Sequence, residues 1–333
     1  MERTRYAVWF LSTVALAIAA LAGFNVLATA YILHHPQGAS VQTLSGFERA
    51  VKPVWLERIK PELVFAGSSR VRDGFDPALI DAALKTRSFN YGASSITPYE
   101  TRRFVQDALA HPSVKQIVVA LDAFTGNGGA GEALPSFDET RLAVTPSGEP
   151  TPRRALWLFT TAYLSGGALG MNALAGWSLL QLKPGQAAAD RPDIFPAYGH
   201  MDQAVLARDL NYRRARVMRM GDGPLRELTT MLAAACHARA KLVLFFPPDN
   251  MAIIARYRQS NAASLAAFKM TSSQAVARHN AGCPNKAGLF DFMAPNPLTS
   301  ETLENGSARD YVDLVHFRPP AGLWLLRQMG IAP

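Results

Sequence analysis

Gly67-Ser68-Ser69-Arg70 follows an apolar run, and Asp313-Leu314-Val315-His316 stands near the C-terminus. A serine hydroxyl is a poor nucleophile until a base takes its proton in the transition state. Histidine does this near neutral pH, and a carboxylate fixes its tautomer and steadies the imidazolium. Ser69, His316 and Asp313 are therefore the candidates for nucleophile, base and orienting acid. The chemistry would be acyl transfer or ester hydrolysis. The spacing of Asp313 and His316 lets one tight turn carry both side chains on the same side, but Ser69 must arrive from the other end of the chain. Taken singly, each element has an ordinary explanation. Gly-Ser-Ser also leads a helix out of any strand, and a lone histidine is more often a satisfied surface or interior residue.

The intervening text supplies elements able to bring them together. Glu62 to Ala66 reads as a short buried strand ending at the Gly-Ser-Ser turn, and open α/β sheets keep their chemistry at the carboxyl ends of strands. Further strands are expected at 88–91, 116–121, 241–246 and 289–292. Asp76-Pro77 reads as a cap and first residue of a helix to about Leu84. Thr97-Pro98-Tyr99-Glu100 reads as a capping box opening a helix to about Ala110. Helices are also expected from Pro224 to Arg239, from Asn250 to His279 and from Pro319 to Met329. Alternating strands and helices imply a mostly parallel α/β sheet. The expected domain comprises 61–125 and 223–333, with 126–222 as an insert or cap and 34–60 as a connector. Backbone N–H groups of Ser69 and Gly92 would face the developing oxyanion.

Residues Ala7 to Leu33 carry no charged side chain, enough chain to cross a ~30 Å hydrocarbon core. Arg3 and Arg5 precede the run, and no Lys or Arg follows until Arg49. The positive-inside rule then leaves the N-terminus cytoplasmic and exports the rest. A signal peptide cleaved near Ala28-Thr29-Ala30 is the rival reading, but the apolar run continues past that point. An uncleaved single-pass anchor over 1–33 is the expectation. A second apolar stretch, 155–182, contains four glycines and several polar residues, and a span there would separate Ser69 from His316. It reads instead as amphipathic helices of the cap, either resting on the membrane or lining the site.

The net charge of +8 comes from 34 basic against 26 acidic residues. Arg213, Arg214 and Arg216, with Arg208 and Arg219 nearby, form its sharpest cluster. Contact with lipid headgroups or an acidic glycan is one reading, and a solvated helix face is the other. No nucleic-acid motif and no cysteine–histidine cluster for a metal is present. The two cysteines, Cys236 and Cys283, are either bonded in an oxidising compartment or two buried thiols.

Together these residues resemble the blocks of the SGNH (GDSL-like) hydrolases. Gly67-Ser68-Ser69 matches the first block, with Ser68 where aspartate is usual. Asn90-Tyr91-Gly92 matches the second, and Asp313-Leu314-Val315-His316 matches the last without a gap. The third block departs: its asparagine is missing after Ala120-Leu121-Asp122, and Asn127 is near but displaced. The resemblance implies a three-layer flavodoxin-like fold, no cofactor, and oxyanion donors at Ser69 and Gly92, with Asn127 as third candidate. The anchor and the motif Asp-x-x-His-Phe-Arg-Pro are similar to exported proteins of bacterial polysaccharide O-acylation, such as those of alginate O-acetylation and teichoic acid D-alanylation. That likeness implies acetyl transfer or removal on an exported polysaccharide in the periplasm, alongside inner-membrane acyl-transfer or export partners. A non-catalytic scaffold or binding subunit of such a complex is the alternative.

Overall fold

The computed structural model describes residues 2–34, 48–122, 133–134, 136–160, 200–212 and 222–332. Helix α1 (Glu2–His34) contains one stretch, Thr4–Leu27, long and apolar enough to cross a membrane. Helix α2 (Glu48–Ile59) follows, and then β1 (Leu63–Gly67), α3 (Ser69–Gly74), α4 (Pro77–Leu84), β2 (Ser88–Gly92), α5 (Pro98–Leu109) and β3 (Gln116–Ala120). After the short helices α6 (Arg154–Leu158) and α7 (Gln203–Tyr212) come α8 (Asp222–His237), β4 (Lys241–Phe246), α9 (Met251–Gly282), β5 (Gly288–Asp291) and α10 (Pro319–Gln328).

The strands form a five-stranded sheet in the order β2-β1-β3-β4-β5, with every pairing parallel. This is the flavodoxin-like order, whose switch point lies between β1 and β3. Helices cover both faces, so the strands are nearly continuous apolar runs rather than alternating ones. Val64, Ala66, Ile117, Val119, Leu242 and Leu244 pack toward α2, α5, α8 and α9. Their neighbours Leu63, Phe65, Val118, Val243 and Phe245 pack on the opposite face with α4, α10 and residues 311–317. Each large side chain fully buried in this way is worth about 1.5–3 kcal/mol.

Local signals act as the residue types dictate. Asp76 Oδ1 accepts the Ala78 N–H at 2.8 Å ahead of Pro77. Thr97 and Glu100 form the reciprocal capping box of α5. The buried Glu100 carboxylate also takes a charge-assisted bond from Arg49 of α2 at 2.8 Å.

Two stretches carry structure that the sequence reading did not assign. The stretch 34–60 is not simply a connector: α2 occupies 48–59 and buries Val51, Val54, Trp55 and Leu56. Its charged residues disguised it, because Glu48, Arg49 and Lys52 are buried with the apolar ones. The segment 126–222 is also built into the domain where it is described. Leu142 is fully buried beside α5, and Arg103 reaches the Thr145 carbonyl at 3.0 Å. On the other face, Met201 exchanges backbone hydrogen bonds with Tyr311 and Ala308. Residues 161–199, which hold most of the second apolar stretch, lie outside the described residues.

Cys236, at the end of α8, is bonded to Cys283, just past α9, with Cα atoms 5.9 Å apart. The bond closes the helix–strand–helix unit around β4. Cys283→Ser is expected to lower stability by about 2–4 kcal/mol. Urea unfolding checks this: dithiothreitol should lower the midpoint of the parent protein and leave the variant unchanged.

Candidate active site

Ser69 begins α3 directly beyond the carboxyl end of β1. Ser68 is the N-cap, its Oγ accepting the Arg70 N–H at 3.3 Å. Ser69 therefore occupies the first helical position, where backbone N–H groups have no intrahelical acceptor. The helix is short because it must stop where α10 crosses it. A Cβ on Gly74 would lie 2.0 Å from the Phe317 ring, and one on Gly322 would lie 1.8 Å from the Gly74 carbonyl oxygen. These bare backbones let the two ends of the chain approach closely enough to share a site.

Across that contact, Ser69 Oγ lies 2.7 Å from His316 Nε2, and His316 Nδ1 lies 2.7 Å from Asp313 Oδ2. With Nδ1–H donated to the carboxylate, Nε2 presents its lone pair to the serine hydroxyl. The other carboxylate oxygen, Asp313 Oδ1, accepts the N–H groups of Val315 and His316 at 2.9 and 2.8 Å. One carboxylate thus holds both the ring and the backbone turn that carries it. The Leu314 carbonyl accepts the Asn250 N–H at 3.0 Å, and the Leu314 N–H reaches Asp209 Oδ2 of α7 at 3.4 Å. Buried Phe317 packs edge-on against Phe75 at 5.7 Å. Asp313 and His316 are 15% and 20% exposed, so a substrate can reach them.

The expected oxyanion donors fare differently. The Gly92 N–H donates to Asn90 Oδ1 at 2.9 Å, so the structure gives it an internal partner instead of an open position. Gly92 is required for another reason: a Cβ there would lie 2.4 Å from the Arg72 backbone nitrogen. Asn90 Nδ2 contacts the carbonyls of Val71, Arg72 and Phe75, tying off the end of α3. Asn127 lies outside the described residues, as do Arg213, Arg214 and Arg216.

Arg70 and Asp122, quoted in the motifs without a role, form a buried charge cluster with Asp249 beside Ser69. Arg70, next to Ser69 and 5% exposed, pairs with Asp122 at 3.2 Å and with fully buried Asp249 at 3.0 Å. Asp122 stands just beyond β3, near where the resemblance leads one to expect an asparagine. Asp249 stands beyond β4. Acidic residues at the carboxyl ends of two strands were the signal that could have found them. Burial, reinforced by the Asp249 carboxylate, holds the Tyr311 phenol well above its ordinary range. A cavity of about 50 Å³ lies beside Asp122, with an apolar lining that includes Leu121, Leu228, Met231 and Phe268.

No protein-family model matches the chain, and no curated protein matches it. A solved structure from Streptococcus pneumonia, described provisionally as a platelet activating factor, is similar over 96% of this chain and 97% of that chain. The identity is 12% and the TM-score 0.35. At those values the likeness assigns neither family nor activity.

Two outcomes follow from the buried charges. Arg70→Met leaves Asp122 and Asp249 without their cation and should cost about 3–5 kcal/mol of stability, measurable by urea unfolding. Lys52 is buried against the Gly92 carbonyl, and desolvation lowers its pKa from 10.5 to about 7. Between those values the unfolded chain carries the extra proton, so Lys52 makes stability rise as pH increases from 7 toward 10. Below 7 its unfavourable contribution is constant. Unfolding of Lys52→Met at a series of pH values should lack that rise.

Proposed function

We propose that this protein is a membrane-anchored serine-dependent O-acyltransferase or esterase acting on an exported polysaccharide. The observation that carries the reading is the continuous chain Ser69 Oγ–His316–Asp313, with both side-chain contacts at 2.7 Å. Ser69 attacks the acyl carbonyl while His316 Nε2 takes its proton. Asp313 keeps the ring in the required tautomer and stabilises the imidazolium. The Ser69 N–H, at the first turn of α3, faces the developing oxyanion. Collapse of the tetrahedral intermediate expels the alcohol, which takes the proton back from His316, and leaves an acyl-serine. Water or a sugar hydroxyl then repeats the sequence in reverse, and the acceptor decides between hydrolysis and transfer. The resemblance to polysaccharide O-acylation proteins supports a glycan acceptor. The same resemblance supports an acetyl group as the acyl unit. The apolar Thr4–Leu27 stretch supports an inner-membrane anchor with the domain on the periplasmic side.

A second reading is favoured by the donors. The Gly92 N–H is engaged by Asn90, and the Asp122 carboxylate faces Arg70. With one expected donor in place among the described residues, the site fits a binding or scaffolding subunit that retains the fold without turnover. The two readings separate on labelling of the full chain with a fluorophosphonate. An activated Ser69 should label, and labelling should fall at least ~100-fold in Ser69→Ala and His316→Ala. Asp313→Asn should retain binding but lose a large part of the rate through the wrong tautomer. A folded parent that does not label points to the scaffold.

A further inference from the structure

A surface beside the anchor has no part in the chemistry above. In α1, burial among the described side chains is confined to the C-terminal turns: Asn25 is 5% exposed, and Ala22, Val26 and Ala30 are partly covered, whereas residues 4–21 are exposed. These positions share one helical face. Helix α1 meets α2. The covered face of α1 lies where the apolar Thr4–Leu27 stretch ends, at the boundary of any bilayer that stretch crosses.

Helix α6 is fastened to α2. Arg154 Nη1 donates to Glu57 Oε2 at 2.7 Å, and Arg141 donates to the Ala50 carbonyl at 2.8 Å. Arg154 also donates to the Arg141 carbonyl at 3.0 Å. From this mount Leu156, Trp157 and Phe159 project with 52, 43 and 48% of their surface exposed. Leu158 turns inward onto the core. Three large apolar side chains within four residues make a contiguous patch of the kind that marks an interaction surface. Glu57, the acid nearest the patch among these contacts, is neutralised by Arg154, and Arg153 is exposed at the helix start.

We infer that Leu156, Trp157 and Phe159 insert into the interfacial layer of the bilayer beside the anchor, making a second membrane contact that fixes the tilt of the domain. Trp is at home at that depth, and an adjacent arginine meets the phosphate layer. Helices α1 and α6 both contact α2, so the patch is carried by the element that meets the apolar helix, which argues for lipid over a protein partner. This inference does not depend on the catalytic reading.

The test is site-directed spin labelling of the full chain in vesicles of phosphatidylethanolamine and phosphatidylglycerol. Both native cysteines are bonded to each other, so a single introduced cysteine takes the label. Leu156→Cys and Phe159→Cys are compared with Lys286→Cys, an exposed position in the loop before β5. The expected result is a several-fold higher ratio of oxygen to nickel-chelate collisions at 156 and 159 than at 286. Strong nickel accessibility at 156 and 159 would place the patch in water and overturn the inference. Low accessibility to both reagents would mean that protein covers the patch, which overturns it equally. Detergent-solubilised samples, checked for unaltered melting, show that each variant folds.

Discussion

The buried guanidinium of Arg70 is the constraint on which the site rests. It extends from the residue after Ser69 and meets carboxylates from beyond β3 and β4, so one side chain ties together the ends of three neighbouring strands. A buried charge is tolerated only when its partners are in place. The turn carrying Ser69 therefore cannot drift along the sheet edge without breaking two ion pairs. The residue after Asp249 completes the frame, because Asn250 both caps α9 and donates to the Leu314 carbonyl in the loop holding His316. Electrostatics on the sheet side and close backbone packing between α3 and α10 thus set the same distance from two directions.

The parallel sheet was legible from the sequence because its strands are buried on both faces and its helices begin with strong local signals. Asp76-Pro77 and Thr97 to Glu100 each specify a helix start through side-chain acceptors that need no tertiary help. Asp313 and His316 were legible as a pair for a related reason: their geometry is local, set by one Asx-type turn. Ser69 could be named from its turn, but its meeting with His316 depends on a contact between helices at opposite ends of the chain.

What escaped the sequence was polar burial. Helix α2 reads as a charged connector because Glu48, Arg49 and Lys52 break its apolar pattern, yet these side chains point inward to partners far along the chain. Gly92 matched a motif, but its N–H serves Asn90 and its missing side chain makes room for Arg72. Motif spacing carries residue identity and not hydrogen-bond direction, so the two uses of that glycine look alike until the backbone is built. Asp122 is a similar case, since only the fold reveals that its partner is Arg70.

Helix α2 also bears on where this protein can be cut. Glu48 pairs with Arg72, Arg49 donates to the Ser94 carbonyl, and Lys52 donates to the Gly92 carbonyl, so the first turns of α2 hold the loop leaving β2. A protease acting between His34 and Glu48 would release a domain with its internal architecture whole. The same cleavage at Lys60, a natural-looking domain edge, would remove these three contacts and leave Glu100 without its arginine. Separation from α1 and loss of the domain's internal packing are thus divided by the length of a single short helix.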